Sequence, residues 1–277
     1  MKILRKLVAA GVAAAGALLA LPPLPAAAAP PPGSLVPVQQ TVFGQVGRRV
    51  SGNVGCPVNT RVVAAGMQGN AVLNGLVPQP NFQAVIAEGT IQPGPAGSNF
   101  MIIQAICAPV ATLQGWIPVR QTFAFAGSNK RRAILTCPSG MYAAGGGGIV
   151  LNNRGVFSTT SFGMVANSMT AAGNAWQVTV STGVPSDTVE VITMCAPLDG
   201  SFVDQDHANV VNGTASKQNL CDNGRTVLSG GVYLSRADGT EADGFITHTV
   251  PSGTRGWFVG GGSTTPNSKI VALARCF

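Results

Sequence analysis

Cys137-Pro138-Ser139-Gly140-Met141-Tyr142-Ala143-Ala144-Gly145-Gly146-Gly147 is the stretch whose reading decides the fold, because the chain carries three versions of it. Laying residues 36–66 on residues 117–147 at a constant shift of 81, without a gap, matches Pro37 with Pro118, Val38 with Val119 and Gln40 with Gln121. The same shift matches Thr41 with Thr122 and Cys56-Pro57 with Cys137-Pro138. A third copy follows at a shift of 84, where Gln205 falls on Gln121, Cys221 on Cys137 and Gly231 on Gly147. A fixed period of this kind marks one supersecondary unit used three times. The units span 36–109, 115–197 and 199–277.

Each unit ends on a strand pattern before a closing cysteine. These patterns are Phe100-Met101-Ile102-Ile103-Gln104-Ala105-Ile106, Thr188-Val189-Glu190-Val191-Ile192-Thr193-Met194 and Lys269-Ile270-Val271-Ala272-Leu273-Ala274-Arg275. Short, mostly apolar and bounded by Gly, Pro, Asn and Ser, they read as strands buried on at least one face. Further strand patterns recur in every unit, four to six in all, and no amphipathic helix competes with them. Trp176 and Trp257 each stand 19 residues before a closing cysteine. Two tryptophans in register read as core. In the first unit that distance falls on Glu88, with Phe82 the nearest aromatic, so a rearrangement of its outer strands is expected.

The Gly145 to Gly148 run is not a phosphate loop: no Lys-Ser/Thr follows it and no helix begins there. Its counterparts are Ala64-Ala65-Gly66-Met67 and Ser229-Gly230-Gly231-Val232. Glycine inside a strand pattern marks a bulge or a close approach of two backbones. The expected fold is all-β, three tandem disulfide-bonded repeats forming a pseudo-threefold, β-prism-like body. Three small β-sandwich modules in a row are the alternative. Short connections between units and a charged fraction of only 10% favour shared burial. An outer-membrane barrel, suggested by the terminal Phe277, is disfavoured by Arg275 on the same strand face and by the cysteines.

Residues 1–28 read as a signal peptide, with Lys2, Arg5 and Lys6 ahead of an apolar run from Leu7 to Leu21 and a cleavage site near Ala28. The run is shorter than the ~20 residues a spanning helix needs, and no later stretch is long enough to span. A Pro-rich linker covers 29–35. Export makes six cysteines a disulfide framework. Of fifteen pairings, the repeat selects Cys56 with Cys107, Cys137 with Cys195 and Cys221 with Cys276; a daisy chain between units is the competitor. Cysteines this far apart do not suit zinc, and His207 and His248 lack metal-ligand spacing.

Removing Lys2, Arg5 and Lys6 lowers the formal charge from +7 to +4. The basic groups of the remainder are scattered, and the three tryptophans and two tyrosines are too few for the interleaved aromatics of a nucleic-acid surface. No nucleic acid partner is expected.

The second unit, with Cys137-Pro138-Ser139-Gly140, then Ala143-Ala144-Gly145-Gly146 and a distant Cys195-Ala196-Pro197, resembles a repeat of exported bacterial proteins of unknown role. It is also similar to the Cys-Pro-x-Gly…Ala-x-Gly units of the vitelline membrane outer layer protein family. That resemblance implies three Greek-key sheets in a β-prism and an extracellular structural or glycan-associated role. It covers about a dozen positions per repeat. The third unit departs from it with Asp222-Asn223 after its cysteine.

No G-x-S-x-G elbow, H-E-x-x-H or S-x-x-K set occurs. Asp204, Asp206 and His207 form the best polar cluster, and a hydrolase confined to the third unit would use them. In the repeat register His207 falls on Val42 and Phe123, which favours a structural or surface placement. Asp238, Glu241 and Asp243 form a carboxylate loop, a weak calcium candidate without EF-hand spacing. The expected function is therefore that of a secreted, non-catalytic protein needing no cofactor. It would bind or coat an extracellular surface, lectin-like toward a glycan or cell-envelope polymer. A passive matrix or coat is the alternative.

Overall fold

The computed structural model describes residues 30–277 except Asp199 and Asn223. The signal peptide and its cleavage site lie outside the described residues. The first unit forms six strands: β1 (Val36–Phe43), β2 (Arg49–Gly55), β3 (Thr60–Gly69), β4 (Ala71–Pro78), β5 (Ala84–Ile91) and β6 (Phe100–Pro109). The second forms β7 (Ile117–Ala124), β8 (Lys130–Thr136), β9 (Tyr142–Leu151), β10 (Ser161–Met169), β11 (Ala175–Thr182) and β12 (Thr188–Ala196). The third forms β13 (Phe202–Asn209), β14 (Thr214–Leu220), β15 (Val227–Ser235), β16 (Phe245–Ser252), β17 (Gly256–Gly262) and β18 (Lys269–Cys276). Among the described residues no helix is long and apolar enough to cross a membrane.

No unit keeps its strands in one sheet. The three antiparallel sheets run β1-β6-β3-β16-β17-β14 (sheet I), β2-β5-β4-β9-β12-β7 (sheet II) and β13-β18-β15-β10-β11-β8 (sheet III). Every sheet therefore takes the first, sixth and third strands of one unit and the fourth, fifth and second of another. Within a unit the two halves face each other as a small sandwich, with β5 against β6 and β17 against β18. Between units they join edge to edge. The third strands β3, β9 and β15 touch one another in turn, as do the fourth strands β4, β10 and β16, closing the body around a pseudo-threefold axis. Three independent modules in a row would not share sheets in this way.

The repeated glycine sits at these seams. A Cβ on Gly147 would fall 1.8 Å from the carbonyl oxygen of Leu76 on β4, and one on Gly66 2.6 Å from that of Thr249 on β16. On Gly231 it would meet Ser168 Cα of β10 at 2.4 Å. Close backbone approach, not a ligand loop, is what the glycines serve.

Three disulfides, Cys56–Cys107, Cys137–Cys195 and Cys221–Cys276, tie the residue just after each second strand to the end of the sixth. Disulfides of this kind belong to an oxidising, extracellular-type compartment.

Two sequence alignments shift in the structure. Trp176 pairs with Leu135 and Trp257 with Asn219, and the corresponding pair in the first unit is Val85 with Val54. Val85, fully buried, and not Glu88, is thus the tryptophan counterpart. Counting back from Cys107 misses it because the turn before β6 is three residues longer, with Val85 standing 22 residues from its cysteine. In the third unit Asp206 pairs with Ala272 as Gln40 pairs with Ile103 and Gln121 with Val191. Asp206, not Gln205, is therefore the counterpart of Gln121. A loop one residue shorter separates β13 from Cys221, and a slip of one moves every side chain to the opposite face.

Candidate functional site

His207 pairs with Val271, the position of Thr41 and Thr122 in the other units, and its side chain is exposed. Alternation along β13 puts Asp204 and Asp206 on the other face. Asp204 Oδ1 accepts the Gln205 N–H at 2.8 Å and Asp206 Oδ1 the His207 N–H at 2.7 Å. Asp206 also pairs with Lys217 Nζ at 2.6 Å, and that ammonium holds its carboxyl below the usual range. The structure does not converge these three side chains on one cavity, which general acid–base chemistry requires.

Lys130 occupies the centre of the 238–243 carboxylates. Its Nζ lies 2.8 Å from both Glu241 Oε1 and Asp243 Oδ1. Asp238 instead accepts the Thr240 N–H and hydroxyl at 2.9 and 2.6 Å. An ammonium thus takes the place a cation would need. Among the described residues no group of three or more His, Cys, Asp and Glu side chains is placed to hold a metal.

A buried polar staple joins the first and second units. Asp187, 3% exposed, accepts hydroxyls from Ser158, Thr182 and Thr160 at 2.5, 2.8 and 3.1 Å. Arg49 donates to the carbonyls of Ser158 and Ser161 and to Ser161 Oγ at 3.0 Å, with Glu88 at 3.8 Å. Burial raises the Glu88 carboxyl and Arg49 pulls it back. Asp187, the hydroxyls and Arg49 satisfy one another across a unit boundary, as a structural network does, whereas Glu88 Oε2 is buried without a hydrogen-bond partner.

Two concavities bear on function. On the outer face of sheet II a groove of about 490 Å³ is lined by Arg120, Glu190, Gln79, Asn81 and Phe157. Arg120 Nη2 donates to Glu190 Oε2 at 2.5 Å; the carboxylate side chain is 8% exposed and the guanidinium 54%. By register the counterparts of this pair are Gln39 and Ile102 in sheet I and Gln205 and Val271 in sheet III. Sheet II alone therefore has a charged pair at this place. The second concavity, about 610 Å³, lies beside sheet I, next to Leu35, Pro37, Ile106, Val227 and Pro251.

Sequence reasoning did not reach this groove, since Arg120 and Glu190 are 70 residues apart and belong to no motif. The available signals were a charge at the variable position of Pro-Val-x-Gln-Thr and an acidic residue inside an apolar strand. Comparison with known proteins found no family model and no curated protein that matches the chain.

Proposed function

We propose that the protein is an exported, non-catalytic binding protein whose sheet II groove holds a glycan or cell-envelope polymer. The observation that carries this reading is the Arg120–Glu190 pair. It sets a planar donor fork and a carboxylate side by side, next to the amides of Gln79 and Asn81 and the ring of Phe157. Sugars present vicinal hydroxyls that both accept and donate, over apolar C–H faces. A groove with a few placed polar groups on a mostly apolar surface suits such a ligand. Conversely, the best acid–base candidates are spread over two faces of an edge strand, which favours binding over turnover.

A glycan array and a pull-down on insoluble cell wall, run with the disulfide-bonded protein, test the reading. Retention is expected, with about a tenfold or greater loss in Arg120→Ala and Glu190→Gln, as for removal of a charge-assisted hydrogen bond. His207→Ala should bind as well as the parent. Retention no greater than that of a reduced, unfolded control would refute it.

A further inference from the structure

The same backbone positions come together at one spot beside each sheet. There the ends of its first and sixth strands meet a third strand of the neighbouring sheet and the turn between a fourth and a fifth strand. In sheet III these are Ser201 and Arg275, with Tyr142, Ala143 and Gly173 from the second unit. The counterparts are Trp116, Met194, Arg61, Val62 and Phe82 at sheet II, and Leu35, Ile106, Thr226, Val227 and Thr254 at sheet I. One hydrogen bond fixes the equivalence: Ala143 N–H to Gly173 O at 2.8 Å, Val62 N–H to Phe82 O at 2.7 Å and Val227 N–H to Thr254 O at 2.9 Å. Register agrees, since Ala143, Val62 and Val227 each pair with a closing cysteine.

At sheet III the spot is filled from within. Arg275, 1% exposed, donates from Nε to Ala143 O at 3.0 Å, from Nη2 to Gly173 O at 2.7 Å and from Nη1 to Ser201 Oγ at 3.0 Å. Its guanidinium lies 5.5 Å from the Tyr142 ring centre. At sheet II the bulky Trp116 and Met194 stand there, 8% and 5% exposed. At sheet I the shorter Leu35 and Ile106 leave the 610 Å³ cavity open.

Two of three equivalent places thus carry a planar side chain of the protein's own, and the third does not. Nothing in the open one favours a second guanidinium. No acidic residue lines it, and Arg225 and Arg255 flank Thr226 and Thr254 in the chain. Its walls are mainly aliphatic. Gln104 Nε2 donates to Gln39 Oε1 at 3.3 Å on one rim, leaving amide donors and acceptors for a ligand's polar edge. Its volume falls in the range that holds small molecules. We propose that the sheet I cavity binds a small uncharged aromatic molecule with one polar edge, in the place taken by the Arg275 guanidinium at sheet III.

The test is a titration of the disulfide-bonded protein with indole, read by the methyl resonances of Leu35, Ile106 and Val227, with N-acetylarginine amide as the cationic comparison. Indole should give saturable shifts confined to these methyls, and the arginine compound none at the same concentration. Leu35→Trp, which copies Trp116, should fill the space and weaken indole binding by about tenfold or more. Thr226→Tyr, which copies Tyr142, gives a second filled variant if the first does not fold. Absence of saturable indole shifts, tighter binding of the arginine compound, or undiminished binding by a folded, filled variant would overturn the proposal.

Discussion

The indole Nε1 of Trp176 donates to Asn167 Oδ1 at 2.9 Å inside the second unit, and Trp257 makes the same reach to Thr249 Oγ1 at 3.0 Å in the third. Both acceptors lie on a fourth strand where it meets the neighbouring unit's third strand, Asn167 opposite Val232 and Thr249 opposite Met67. In the first unit the corresponding residues are Val85 and Leu76, so a polar pair is replaced by an apolar one in the same place. Each indole also rests on a glycine: a Cβ would fall 2.9 Å from Trp176 on Gly146 and 2.1 Å from Trp257 on Gly230. The first unit, with Val85, has Ala65 there. Core and seam are thereby one construction, each unit's tryptophan bracing the strand that docks on its neighbour.

Gly147→Ala should be among the most damaging small substitutions in the chain. The new methyl would lie 1.8 Å from the Leu76 carbonyl, so two backbones must separate. A loss of about 3 kcal/mol is expected, at the upper end of overpacking costs. Gly33→Ala, with open space around it, should change stability by less than about 0.5 kcal/mol. Urea denaturation of the two variants makes the comparison.

Arg275 is a buried cation with only neutral acceptors around it. Burial pulls its guanidinium down to about 10, which leaves it charged at neutral pH. Arg275→Met, which installs the residue found at the same place in the second unit, should leave the melting temperature unchanged or raise it, because a buried charge is replaced by well-fitting apolar volume. Arg275→Ala leaves a void and should cost about 2–5 kcal/mol.

Stability should fall on acidification through His248. Its ring is half-buried against Phe258 with Thr247 Oγ1 at 2.8 Å, and burial lowers its affinity for a proton. The unfolded chain protonates near the ordinary value of about 6.5 while the folded one resists, so stability due to the neutral ring is present above that pH and lost below it. The melting-temperature difference between parent and His248→Gln should therefore shift in favour of the variant between pH 7.5 and 5.5. A constant difference would remove His248 from the acid response.

Breaking Cys137–Cys195 as the double serine variant frees a loop of 58 residues and should cost about 2–5 kcal/mol. Peptide mapping of the parent without reduction should return three bridges, each within one unit.

Much of the fold was legible because repetition supplied internal comparison. Cysteine pairing followed from three opening and three closing positions, and the glycine at 66, 147 and 231 marked either a bulge or a close backbone contact, of which the structure shows the second. Which backbone it approached was not legible, since nothing in a strand's own sequence tells whether its edge neighbour comes from the same unit. Gap-free counting then misplaced Gln205 and Glu88, where one loop is shorter and one turn longer than its counterparts. The sheet II groove was hidden for a related reason: Arg120 and Glu190 meet only through the pairing of β7 with β12.

Interlacing of the three units makes the whole body one folding unit, and differential scanning calorimetry of the disulfide-bonded protein measures this most directly. The shared sheets predict a single transition whose calorimetric and van't Hoff enthalpies agree. Two or three resolved transitions, or a van't Hoff enthalpy near a third of the calorimetric one, would mean that each unit melts alone and would contradict it.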